Sequence, residues 1–248
     1  MAEYGAETYG DRWAGIYDEW VAGVRPDADA AAGFLASVAN GGPALELAIG
    51  TGRVALPLRS RGVEVHGIDA SDAMVAKLRG KPGGTDIPVT IGDFADVPTE
   101  GAYPLVYVPF NTFFALLSQE EQVRCFRNVA AHLTEDGVFV MDVFVPDMTR
   151  FDRGQRVETN RLELDLSHLT LSVHDPVEQR IKVNIVHIDE GAVKQFPVQL
   201  RYAWPSELDL MARLGGLQLR ERWSSWDRDP FTAASQAHVS VYERARGS

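Results

Sequence analysis

The chain has 248 residues, 45% of them hydrophobic, which suits one large α/β domain, or one domain with an insertion, around a real core. Its 24 basic and 35 acidic residues leave a net charge of −11 with no run of five like charges, so no nucleic-acid partner is expected. Cys125 is the only cysteine, which excludes intrachain disulfides and cysteine-based zinc sites, and no His-x-x-x-His or carboxylate cluster asks for a metal.

The pattern opens helical. Residues 9 to 40 read as helix, with Tyr17, Trp20, Val21 and Val24 marking one face of a first segment. Pro26 and Asp27 start a second segment, which stops at Asn40-Gly41-Gly42. The first twenty residues carry acids where a signal peptide would carry a basic patch and an apolar run, and no later window offers about 18 uninterrupted apolar residues. A cytoplasmic protein with no membrane partner is expected.

Strands and helices then alternate: strand 44–49, helix 53–60, strand 63–68, helix 71–80 capped by Ser71 or Asp69, strand 88–91, strand 105–108, helix 119–132 with Cys125 on its apolar side, and strand 138–144. Short apolar strands separated by helices imply a parallel sheet buried on both faces. After Pro146 the period becomes two. Residues 161–173, 179–188 and 196–202 read as an antiparallel insert, with turns at Asp175-Pro176 and Asp189-Glu190-Gly191. Helix 205–214 follows, with Pro205 in its first turn and Gly215-Gly216 at its end, and then strands 217–226 and 237–244. Having no helix between them, the last two strands suggest an antiparallel hairpin at one sheet edge. The expected fold is thus a doubly wound, seven-stranded, mostly parallel sheet built from residues 1–150 and 204–248, with 151–203 as the β insert.

Ligands on such sheets bind outside the carboxyl ends of the strands. After the first strand stands "LELAIGTGR": Gly50 and Gly52 permit positive φ and close approach to the backbone, and the amides opening the next helix suit a carboxylate or a phosphate. Gly50 to Ala55 also satisfies the dinucleotide pattern G-x-G-x-x-G/A, so both ligands stay open at this point. After the second strand, Asp69 in "GIDASDAM" can accept both hydroxyls of a ribose, or can cap the next helix. "GDFAD" then sets Asp93 and Phe94 at the third strand end, an acceptor for an exocyclic amine beside a face for a purine. Sites for an amino acid, a ribose and an adenine, in that order, describe S-adenosylmethionine.

These three stretches resemble the first motifs of the class I S-adenosylmethionine-dependent methyltransferases, a Rossmann-like family, and "EDGVFVMDVFVP" resembles their fifth-strand region. The resemblance implies that Glu46 organises the glycine loop. It places Gly50, Thr51 and Gly52 at the methionine part of the cofactor, Asp69 at the ribose, and Asp93 and Phe94 at the adenine, with Ala48, Ala70, Met74 and Pro109 also expected to touch the cofactor. Most members carry glycine where this chain has Ala48, the one visible departure in the loop. Tyr17 resembles an aromatic that relatives place over the methionine end, or else packs its helix onto the sheet. Arg53 pairs with the cofactor carboxylate, with Glu46 or with solvent.

The same resemblance puts Pro109-Phe110-Asn111, at the end of the fourth strand, beside the sulfonium. Phe110, Phe113 and Phe114 read as a pocket wall or as core; Asn111 is polar where core would be apolar. Methyl transfer to an amine needs alignment more than acid–base chemistry. Candidate catalytic groups are therefore few: Asn111, Asp142 near the end of strand five, and His168, which with His174 and His187 falls on the insert that would overlie the acceptor site. Each histidine reads as a structural strand residue otherwise. Within the family, the insert and the run Trp223, Trp226, Phe231 resemble the bacterial enzymes that N-methylate nucleotide-linked amino sugars for antibiotics. The expected partner is such a small acceptor, O-methylation of another metabolite stays as an alternative, and a homodimer is compatible with the chain. The competing classes are an NAD(P)-dependent oxidoreductase and a non-catalytic nucleotide-binding protein on the same fold.

Overall fold

A computed structural model describes residues 5–24 and 27–245 of the chain; Pro26 and the side chain of Val24 lie outside the described residues. The N-terminal helices are α1 (Ala6–Trp13), α2 (Tyr17–Val24) and α3 (Ala28–Val38). They precede β1 (Ala44–Leu47), α4 (Ala55–Ser60), β2 (Val65–Asp69), α5 (Asp72–Arg79), β3 (Val89–Ile91) and β4 (Tyr103–Val108). Next come α6 (Gln119–His132) and β5 (Leu133–Phe144), then four consecutive strands, β6 (Gln155–Leu162), β7 (Leu166–Asp175), β8 (Arg180–Asp189) and β9 (Ala192–Arg201). The chain closes with α7 (Pro205–Leu214), β10 (Leu217–Trp223) and β11 (Ala237–Arg244).

Seven strands form one sheet in the order β10-β11-β5-β4-β1-β2-β3, with β1 to β5 mutually parallel and β11 antiparallel to both of its neighbours. The closing hairpin lies at one edge, as its missing helix implied. Alternate residues of the buried strands serve two cores. Leu105, Tyr107 and Val140 pack on one face with Phe34, Leu35 and Leu58 from α3 and α4. Val106, Val108 and Phe139 pack on the other with Phe126, Val129 and Met211 from α6 and α7. Both faces being covered by helices is why these strands read as unbroken apolar runs rather than alternating ones.

Several boundaries differ from the sequence reading, among them β5, which starts at Leu133 rather than at 138, and β10, which stops at Trp223 rather than at 226. The first helical segment breaks at Gly15 into α1 and α2, and the break lets Trp13 and Trp20 meet at 4.6 Å between ring centroids. The insert is a separate four-stranded antiparallel sheet, β6-β7-β8-β9, not three strands. Its first strand, "QRVETNRL", is largely exposed and carries no apolar alternation to reveal it. The alternation Leu162, Leu164, Leu166 runs straight through the β6–β7 turn, where Glu163 N donates to Leu166 O and Leu164 is 98% exposed. Cys125 is buried in the α6 core, and burial raises its thiol well above the usual range, which fits its reading as filler.

Candidate active site

Strand order reverses between β1 and β4, and the crevice of such a sheet opens there, beyond the carboxyl ends. The loop after β1 is built from left-handed residues: Ala48 at φ 54°, Gly50 at 57° and Gly52 at 77°. A Cβ on Gly50 would meet nothing nearer than 4.0 Å, so the loop presents bare backbone to open space. At Gly52 the left-handed φ favours glycine, and a Cβ there would also stand 2.4 Å from the end of the Leu78 side chain on α5.

Asp69, at the end of β2, fastens that loop. Its Oδ2 accepts from Gly50 N at 2.7 Å and its Oδ1 from Ser71 N at 2.9 Å, while Ser71 caps α5 by accepting from Met74 N. Burial raises the Asp69 carboxyl above its ordinary value, against which the Ser71 and Gly50 amides pull. Behind the loop, Glu46 is 2% exposed and accepts from Tyr107 Oη at 2.8 Å; burial lifts its pKa to about 8, although Tyr107 and Arg53 favour the anion. Arg53 pairs with Asp27 at 3.0 Å and lies over the Phe110 ring.

In front of the loop is a cavity of about 240 Å³. Ala48 and Gly50 line it from β1, Asp69, Ala70 and Met74 from β2 and α5, and Asp93 with Phe94 from the end of β3. The sites inferred for three ligand parts thus converge on one space. Tyr17 closes it from α2, buried so that its phenol is raised to about 12. Glu46, Thr51, Gly52, Arg53 and Pro109 are not in its lining. Thr51 instead bonds Asp18 of α2, whose carboxylate also meets Lys81 at 2.8 Å, so the glycine loop is stapled to the helix above it.

Two parts of the wall carried no motif. Tyr9 and Gly10 of α1 form the roof. Gly10 is where α1 presses on α5, since a Cβ there would lie 2.4 Å from that of Ser71, and Asp11 accepts from the Ser71 hydroxyl at 2.6 Å. A glycine inside a helical run was the available signal. The other wall is the segment Thr112 to Leu117, where Gln122 holds Leu116 O at 3.2 Å and Arg180 of the insert holds Leu117 O at 2.9 Å.

The candidate catalytic residues do not meet. Asn111, at φ 61°, accepts from Phe144 N at 2.7 Å through its side chain, and Asp142 accepts from Phe110 N at 3.2 Å; each ties the end of β4 to β5, and neither lines the cavity. His168 lies in a second, larger cleft of about 650 Å³ between α2 and the insert, stacked on His187 with ring centroids 3.8 Å apart. Burial, and then the His168 charge, lower the pKa of His187. His174 bonds Tyr202 at 2.9 Å, and it lines neither the cavity nor the cleft. Trp13, Trp20 and Phe196 stand between the cavity and the cleft, with centroids 4.6 and 5.0 Å from Trp13.

A bare-backbone loop, a carboxylate at the second strand end and an acid–aromatic pair at the third, all facing one cavity at a switch point, define an S-adenosylmethionine-dependent methyltransferase, and the chain belongs to that family. Residues 44–137 match a methyltransferase domain. Over whole chains it is similar to the CcbJ methyltransferase of Streptomyces caelestis: 43% identity, 98% of this chain and 100% of that one, TM-score 0.93. The cypemycin N-terminal methyltransferase of a Streptomyces is 29% identical over 206 residues, 83% of this chain and 84% of that protein. SAM-bound CalS10, an amino pentose methyltransferase from Micromonospora echinaspora, shares the fold at 19% identity and TM-score 0.71, covering 93% and 97%. The dinucleotide reading of Gly50 to Ala55 falls away with this membership.

Proposed function

We propose that the protein N-methylates an amine of a small natural-product acceptor, an amino sugar being the favoured class. When bound, S-adenosylmethionine supplies an activated methyl group on a sulfonium, ready for in-line displacement. The chain's own residues then have to bind, orient and exclude water. Asp69 holds the ribose hydroxyls on the lone pairs its two amide bonds leave unused, since an ionised carboxylate offers about four acceptor sites. Gly50 offers open backbone to the methionine part, while Asp93 and Phe94 take the adenine amine and ring.

The carrying observation for an amine acceptor is that no candidate base is left over at the cavity: Asn111 and Asp142 are engaged with backbone away from it, His168 lies in the second cleft, and the acids in its lining, Asp69, Asp93 and Glu121, each hold a backbone amide. An amine arriving neutral needs none, whereas a hydroxyl would. Two relatives that act on amine-bearing natural products, by their names, add support. The test is mass spectrometry of amino glycosides incubated with protein and S-adenosylmethionine, looking for one or two added methyl groups on nitrogen. Transfer confined to phenols or other hydroxyls would refute the amine, and an Asp69→Asn variant with unchanged affinity for S-adenosylhomocysteine would refute the ribose role.

A further inference from the structure

At one end of the insert two arginines stand opposite each other: Arg180 opens β8 and Arg201 closes β9, and they are partners across the antiparallel pair. Arg180 Nε donates to Leu117 O at 2.9 Å. Arg201 donates to Gln122 Oε1 at 2.7 Å, and the Gln122 amide donates in turn to Leu116 O at 3.2 Å and to Arg201 O at 2.9 Å. Two cross-strand neighbours of the insert therefore hold two successive carbonyls of the segment before α6, one directly and one through Gln122. Leu116 and Leu117 both line the cavity in front of the glycine loop.

The base from which Arg180 reaches is rigid. Gln179, just before it, stands at φ 53°, and its side chain donates to Glu207 at 2.8 Å and to Tyr202 O at 3.2 Å while accepting from Arg201 at 3.2 Å. Left-handed backbone at a residue other than glycine persists where its surroundings over-determine it, and such strain gathers at functional sites. Arg201 meets Glu207 of α7 at 2.8 Å with 7% of its side chain exposed, so the same end of the insert is anchored in the core.

Where the held segment runs decides what it can touch. Past Leu117, Ser118 caps α6, and Glu121, which closes that cap by accepting from Ser118 N, is itself in the cavity lining. One turn further along the same face of α6, the Cys125 thiol reaches Phe94 O at 3.9 Å. The wall gripped by the insert thus adjoins Phe94, on the adenine side of the cavity.

We propose that Arg180 is a positioning residue for S-adenosylmethionine: by holding Leu117 O it sets the wall beside the nucleoside, so the cofactor pocket is finished by the insert and not by the seven-stranded core alone. The inference rests on the reading of this cavity as the cofactor site.

The test separates the donor from the charge. An arginine Nε and a glutamine Nε2 are both bonded to Cδ, so Arg180→Gln keeps a donor at that place without the guanidinium, whereas Arg180→Met puts a methyl there. Titration calorimetry of the whole protein with S-adenosylhomocysteine should show Arg180→Met binding about fivefold or more weakly, the scale of one lost hydrogen bond, and Arg180→Gln within about twofold of the unaltered chain. The ligand-free thermal midpoint of Arg180→Met should fall by no more than about 4 °C. A bond that only stabilises the fold would lower that midpoint and leave the affinity of the folded protein unchanged; that result overturns the proposal, as does Arg180→Gln binding as weakly as Arg180→Met. Should Arg180→Met not fold, Arg180→Leu, which ends one atom short of the donor, is compared with Arg180→Gln in the same way. Asp69→Asn tells the two readings apart: weaker binding in Asp69→Asn with none in Arg180→Met removes Arg180 alone, and no change in either removes the cavity as the cofactor site.

Discussion

Ala48 should gain stability on replacement by glycine. It sits at φ 54°, in the left-handed region where an L side chain brings Cβ against its own carbonyl at roughly 1–2 kcal/mol per residue. Glycine removes that strain but enlarges the unfolded ensemble, which offsets roughly 0.4–1 kcal/mol. The net expectation for Ala48→Gly is a gain of about 0.5–1 kcal/mol, a rise in midpoint of about 1–4 °C for a domain of this size. The measurement is urea and thermal denaturation of the ligand-free protein. Gly62 provides the converse. It lies at φ 86°, and a Cβ added there would have nothing within 4 Å, so Gly62→Ala introduces the strain without a clash and should cost about 1 kcal/mol or more. A loss of stability in Ala48→Gly together with a neutral Gly62→Ala would show that backbone strain does not govern this loop.

Two further outcomes follow from the site. The folded-state pKa of Glu46, about 8, lies above its ordinary 4.5, so its protonated form stabilises the fold; that contribution is complete below pH 4.5 and lost as pH rises to 8. Glu46→Gln should therefore raise the ligand-free midpoint at pH 8.5 and do little at pH 5, and a pH-independent difference would exclude the titration. Gly10→Ala puts a methyl into Ser71 across the α1–α5 contact while favouring helix by about 0.5–1 kcal/mol. Affinity for S-adenosylhomocysteine should fall at least fivefold, about 1 kcal/mol, with ligand-free stability nearly unchanged; unchanged affinity would remove α1 from the roof.

How far the sequence carries depends on whether a residue's local pattern and its long-range partner agree. Gly50, Asp69, Asp93 and Phe94 each end a strand, and parallel strands of one sheet bring their ends together, so alternation plus strand-end chemistry was enough to unite them. Ser71 announced its helix because capping is local; Ser118, which forms a capping box with Glu121, carried the same kind of signal and was not read. Asn111 and Asp142 look alike in sequence, polar at strand ends, yet their acceptor oxygens are taken by the amides of Phe144 and Phe110, a matter of which strands neighbour each other. The roof failed to register because Tyr9 and Gly10 belong to a helix whose docking partner, Ser71, is 60 residues away or more. The β6 strand escaped because a mostly exposed edge needs no apolar period.

The helix pair α1–α2 has two sides. Tyr9 and Tyr17 line the cavity in front of the glycine loop, while Ile16 and Trp20 line the cleft of the insert. Packed between two spaces, the pair couples them: a shift of α2 on one side is a shift on the other, and Asp18, held by Thr51 and Lys81, ties that helix to the glycine loop.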